Sequence, residues 1–365
     1  MLIEIGEDIV EKALKNDTVA MEVLEQLATA CRNGKHIVFT PIRTLNDICS
    51  ISKLNRTTVS VYKKLKGKIS ELRAIRDAVE FSAFISYENP HNPKQLWVHP
   101  SLHNKMELYE ETHLLAENLL DIDFFKHVSN YYQRKCKLTK CPICFFPLHG
   151  GGKTIKNVYE KEIKLGQHFC LTIIDSDKKY KGDKNGKTSE ELKRIHNEKQ
   201  PFNCFYYTMN DVCEIENLIP VNVIQAYGNN SRKQIFQLNP ELEISYFDMK
   251  KGFVCCTIKD EAMYNYWLNI FNKYADLCEK LTNCNQCLKD YKFNVPKDTK
   301  NQCHNSKLID GLGSDLLKNL LNDGNSIGKL KKVKYHQLTT DQQKEWETIG
   351  KLIFEWCCAG NKMRV

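Results

Sequence analysis

The chain has 365 residues, 42% of them hydrophobic, so it is too long for one small core and too apolar for global disorder; two or three domains are expected. Its formal net charge of +8 is compatible with a polyanionic partner without requiring one. No apolar run approaches the ~18 residues of a membrane span, and the opening MLIEIGEDIVEK lacks a secretory apolar core, so a soluble cytoplasmic protein with no membrane partner is expected.

Residues 1–105 read as mostly helical. EDIVEKALKNDTVAMEVLEQLATACRNG holds two amphipathic stretches split at Asn16-Asp17 and stopped by Gly34. NRTTVSVYKKLKGKISELRAIRDAVEFSAFISY continues with a basic face, and ENPHNPKQ is a loop. No enzyme motif stands out here, which fits a partner-binding or regulatory module. From residue 111 the texture changes. THLLAEN reads as a strand, LLDIDFFKHVSNYYQRK as a helix, CPICFFPLHGGG as a strand entering a glycine loop, and TIKNVYEKEIKLG as a helix. HFCLTII, SEELKRIHNEKQ, FNCFYYTM and DVCEIENLIPVNVIQAYG continue as strand, helix, strand and helix. This alternation predicts an α/β domain over 110–225, a mainly parallel sheet with covering helices. Residues 226–365 read as mostly helical after a β-excursion in EISYFDMKKGFVCCTIKD.

The strand ends carry acids. Glu117 follows the first strand, with Asp121 one helical turn later; Asp175 and Asp177 follow HFCLTII; Glu214 and Glu216 follow the fourth strand. Singly, each has an ordinary explanation: a capped turn, an N-cap acid, a favourable helix dipole. Jointly, six carboxylates at one sheet edge need positive charge among them, and Mg²⁺ or Mn²⁺, as two ions, is the expected occupant. The second strand brings no acid but ends in HGGGK, where glycines permit close backbone approach before a helix N-terminus. His149 in that run reads as a loop hydrogen-bonding residue or a general base. GGGKT lacks the spacing of an ATPase phosphate loop.

The series LLAENLLDIDFF, HGGGKTI, LTIIDSDKK and EIENLIP resembles a Toprim domain, and within that fold the OLD-like nucleases, over roughly residues 110–225. The resemblance implies a metal-dependent endonuclease acting on DNA or RNA (tRNA included), and a toxic effector in bacterial anti-phage defence. It implies catalysis or metal binding at Glu117, metal binding at Asp175 and Asp177, a second metal position at Glu214 and Glu216, and a match for the following acid at Asp121. One departure is Glu117-Asn118 where the family commonly has Glu-Gly. The family also uses a downstream lysine. The rivals are a non-catalytic nucleic-acid-binding or assembly module that retains the fold, and a primase-like polymerase.

KKYKGDKNGK (178–187) reads either as a solvated loop or as phosphate contacts through Lys178, Lys179 and Lys181, with Lys250 and Lys251 as further candidates. The sixteen cysteines of a cytoplasmic chain read as buried thiols or metal ligands rather than disulfides. Cys284, Cys287, Cys303 and Cys358 have spacing compatible with a structural Zn²⁺ site. His168 and His196 carry no functional expectation.

Overall fold

A computed structural model describes residues 1–227, 244–290 and 307–364. Two compact units are present. The first comprises residues 1–174, 191–207 and 347–365; the second comprises 175–190 and 208–346. These boundaries are not those read from the sequence at 105–110 and 225–226.

In the first unit, four short apolar stretches become strands: β1 (Leu2–Ile5), β2 (Ile37–Phe39), β3 (Ser82–Ile85) and β4 (Gln95–Val98). They form an all-parallel sheet in the order β2-β1-β3-β4. The expectation of a mostly helical region over 1–105 is corrected here: it is α/β. Three- and four-residue strands between helices span barely two alternations, so periodicity cannot separate them from helical apolar runs. The helices themselves start and stop where the sequence signals them. Asp17 caps Thr18–Asn33 by accepting from Ala20 N, and Gly34 ends it in the left-handed conformation. Asn55 caps Arg56–Gly67 in the same way through Thr58 N.

The second sheet of this unit has the order β6-β5-β7-β8, with β5 (Thr112–Ala116), β6 (Phe145–His149), β7 (Cys170–Ile174) and β8 (Cys204–Thr208). β5 lies between β6 and β7 and runs parallel to both. Every residue of β7 is buried, as its unbroken apolar run requires. Leu115, Cys170 and Ile174 pack with Ile155 and Tyr159 of the helix Ile155–Leu165 and with Leu192 and Ile195. The far end of the chain completes this core: Phe354 and Trp356 are buried, Trp356 O accepts from Thr112 Oγ1 at 2.6 Å, and Cys358 bridges Ile143.

The second unit has little sheet among its described residues. β9 (Gly252–Val254) pairs antiparallel with β10 (Lys307–Asp310). Its core is aromatic, with Phe253 packed on Trp267 (4.7 Å) and Phe271 (5.2 Å). The helix expected from DVCEIENLIPVNVIQAYG is shorter than its pattern: a 3-10 turn covers Ile215–Leu218, and the α-helix spans only Val221–Ala226. Pro220 separates them because the residue before a proline avoids the helical region. No helix among the described residues is long and apolar enough to cross a membrane.

Candidate metal and nucleic-acid site

Four of the expected acids fall in the second unit. The stretch that leaves β7 folds back immediately. Ser176 is fully buried, its hydroxyl donating to Val212 O at 2.6 Å, while Ser176 N and Asp177 N both donate to Cys213 O. Asp177 adopts φ +57°, a left-handed conformation that Asp tolerates better than most residues. Gly186 returns against it, donating to Ser176 O at 2.7 Å, and a Cβ on Gly186 would stand 2.4 Å from Asp177 Oδ2. The glycine of DKNGK is therefore required by the acid it packs on.

Asp175 Oδ1 accepts from Ile215 N at 3.0 Å, which ties the first acid pair to EIEN. Asn217 fixes that motif: its Oδ1 accepts from Glu214 N, and its Nδ2 donates to Ile244 O and Phe247 O. Glu214 and Glu216 are both buried, and Lys250 Nζ lies 3.0 Å from one and 3.2 Å from the other. Burial and the neighbouring Glu216 raise the Glu214 pKa to about 7, against the pull of Lys250. Burial lowers the Lys250 pKa, but the two glutamates outweigh it and hold the ammonium above its ordinary range. Glu214 Oε1 is buried with no hydrogen-bond partner. The positive charge that the acids require is thus supplied here by Lys250, which the sequence pointed to as a phosphate contact.

The other lysines differ among themselves. Lys178 Nζ donates to Asn210 O, Lys179 Nζ approaches Cys213 Sγ at 3.5 Å, Lys181 is exposed, and Lys251 is exposed beside Asp248. Lys179, Lys251 and Lys259 border a cavity of about 460 Å³ whose walls include Tyr246, Phe253 and Trp267. Asp248 also lines it and contributes to the field at Glu214, so the cavity and the acid cluster are neighbours within this unit.

Glu117 and Asp121 belong to the first unit. Asp121 Oδ2 accepts from Asn118 N at 2.8 Å, a helix-start contact. The glycine run serves Glu117: Gly150 N donates to Ala116 O, while Gly151 N and Gly152 N donate to Glu117 O. Gly151 and Gly152 have φ of +69° and +61°. Their N–H groups are spent on the backbone after β5, so the run is not an anion cradle. His149 ends β6.

For the zinc expectation, Cys303 lies outside the described residues, as does the side chain of Cys287. Cys284 is buried in the second unit; Cys358 is buried in the first, hydrogen-bonded with Cys141. The fourteen described cysteines are all free thiols.

Sequence reasoning passed over another group. Among the described residues, His113, Glu162 and His168 have donor atoms all within 4.8 Å of one another, whereas the acids of the second unit do not form such a group. One signal was readable: Glu162 occupies the core-facing stripe of its helix, in line with Ile155 and Tyr159. Comparison with family models, with curated proteins and with solved structures finds no match to this chain.

Proposed function

We propose that the protein is a metal-dependent nuclease whose acids in the second unit serve phosphodiester cleavage in DNA or RNA. The observation that carries it is the buried Glu214–Lys250–Glu216 cluster beside Asp175. One ammonium serves two carboxylates at low exposure, and Glu214 Oε1 is left without a hydrogen-bond partner. Such a set fits a hard, oxygen-preferring cation, with Asp175, Asp177, Glu214 and Glu216 as its holders. Mg²⁺ or Mn²⁺ bound there would polarise the phosphate and ionise a water. Asn217 and Ile215 N keep the carboxylates in position. Lys250 neutralises them and has a phosphate oxygen as its alternative partner. Lys179, Lys251 and Lys259 beside Tyr246 and Trp267 suit a charged strand with stacking bases.

Glu117 and the toxic, anti-phage role enter through the resemblance to Toprim nucleases; control by a protein partner at residues 1–105 enters through the lack of an enzyme motif there. A second reading, a nucleic-acid-binding or assembly module without catalysis, is favoured by one observation. Lys250 already pairs with one oxygen of each glutamate, as in a purely structural buried ion network.

The test is incubation with plasmid, single-stranded DNA and tRNA in Mg²⁺, Mn²⁺ or chelator. Asp175→Asn keeps an oxygen for Ile215 N but removes the charge, so melting should hold while cleavage falls by roughly two orders of magnitude or more. A folded Asp175→Asn that cleaves at the wild-type rate removes these acids from the chemistry. Metal-independent binding with no cleavage of any substrate establishes the second reading.

A further inference from the structure

The first unit holds a cluster unrelated to the acids above. His113 lies on β5, Glu162 on the helix Ile155–Leu165, and His168 in the turn that follows Gly166 before β7. His113 Nδ1 stands 2.9 Å from Glu162 Oε2, and the two imidazoles stack with centroids 4.0 Å apart. Glu107 Oε2 lies 3.4 Å from His168 Nε2, held nearby by Glu107 N donating to Gln167 O. The three side chains are 13%, 10% and 17% exposed, so they sit in a shallow, mostly dehydrated recess.

A buried glutamate in an apolar helix stripe needs a reason. A hydrogen bond to His113 satisfies one oxygen but does not explain why a second imidazole is stacked there. Two imidazoles and a carboxylate are a donor set of borderline softness, matched to Zn²⁺ and its neighbours rather than to Mg²⁺. Ligand atoms around tetrahedral Zn²⁺ are about 3.4 Å apart, given bonds of ~2.0–2.1 Å. The 4.8 Å limit here leaves at most about 1.4 Å of contraction, which a turn of one stacked ring supplies by bringing its edge toward the ion.

We propose that His113, Glu162 and His168, with Glu107 orienting His168, form a transition-metal site that takes Zn²⁺ and pins β5, the helix and the β7 approach together. Its occupancy is independent of the nuclease reading.

The experiment uses the full chain, stripped by chelator and returned to buffer with excess Mg²⁺ to occupy oxygen-only sites. Co²⁺ is titrated as a spectroscopic probe and then displaced by Zn²⁺. One equivalent should bind with d–d bands but no thiolate charge-transfer band, and Zn²⁺ should raise the melting temperature. Binding should weaken roughly tenfold or more in Glu162→Gln and in His168→Asn. His168 is in a turn, so His168→Asn serves if the Glu162 variant fails to fold. No binding by the wild type, a thiolate band alone, or unchanged affinity in a folded His168→Asn overturns the site.

Discussion

The two units solve the problem of buried polar groups differently. The first rests on two four-stranded sheets, whose ladders satisfy the backbone and leave neutral groups such as Cys170, Thr172 and His36 in the interior. Among the described residues the second has one two-stranded pair, and it depends on individual side chains that reach backbone across long separations. Asn217 ties Ile244 and Phe247, Gln342 Nε2 donates to Asn217 O and Ile219 O, and Trp346 Nε1 donates to Leu218 O. Both units bury carboxylates, Glu162 beside His113 in the first and Glu214 and Glu216 with a lysine in the second. A sheet distributes its support over many equivalent bonds, so single losses are diluted. A polar web concentrates support in few residues, and the same residues hold the candidate acids.

The largest effect that would sharpen this contrast is Asn217→Ala. It leaves Glu214 N–H and Phe247 O without their partner, while Ile244 O keeps Phe247 N, a cost of about 4 kcal/mol at ~1–3 kcal/mol per buried orphan. Chemical denaturation should show it, together with lost metal affinity. A loss below ~1 kcal/mol would mean that the web is redundant.

Next in size is opposite pH behaviour. Glu214 has its folded pKa raised to about 7 from 4.5, so in chelator the fold binds more protons than the unfolded chain across that window. Stability should therefore fall as pH rises from 4.5 to 7, by up to about 3 kcal/mol, and Glu214→Gln should remove the slope. His36 in the first unit is held well below 6.5, chiefly by burial. There the unfolded chain takes up the proton, so stability should fall as pH drops below 6.5, and His36→Phe should flatten that limb. Melting curves of the wild type and the two variants across pH 4–8 separate the contributions. Slopes of the same sign would break the comparison.

The smallest effect concerns Asp121. As a contact to Asn118 N it contributes about 1 kcal/mol, so Asp121→Ala should lower stability by that amount and leave any cleavage rate unchanged. A hundredfold loss of cleavage in a folded variant would return it to the chemistry.

How much was legible follows the range of each interaction. Asp17, Asn55 and Gly34 act within a turn of their own helices, and the sequence shows them. β7 announces itself because four apolar residues around a β-branched threonine admit few other fates. The four strands of the N-terminal sheet were hidden by brevity. The glycine run was legible as a tight turn, but its use was not, because its acceptors belong to a strand more than thirty residues away. Lys250 was noticed for its charge; that it meets Glu214 and Glu216 is a contact across 34 residues or more, which no local pattern encodes.

The first unit closes through its last segment: Cys144 N donates to Cys357 O, Ala359 N to Pro142 O, and Trp356 caps Thr112. On a ribosome, β5 and β6 therefore emerge long before the residues that seal them. At ~5–20 residues per second the wait is roughly 10–40 s. During it the second unit is synthesised whole, so it has the chance to fold first while an apolar flank of the earlier sheet stands open to chaperones.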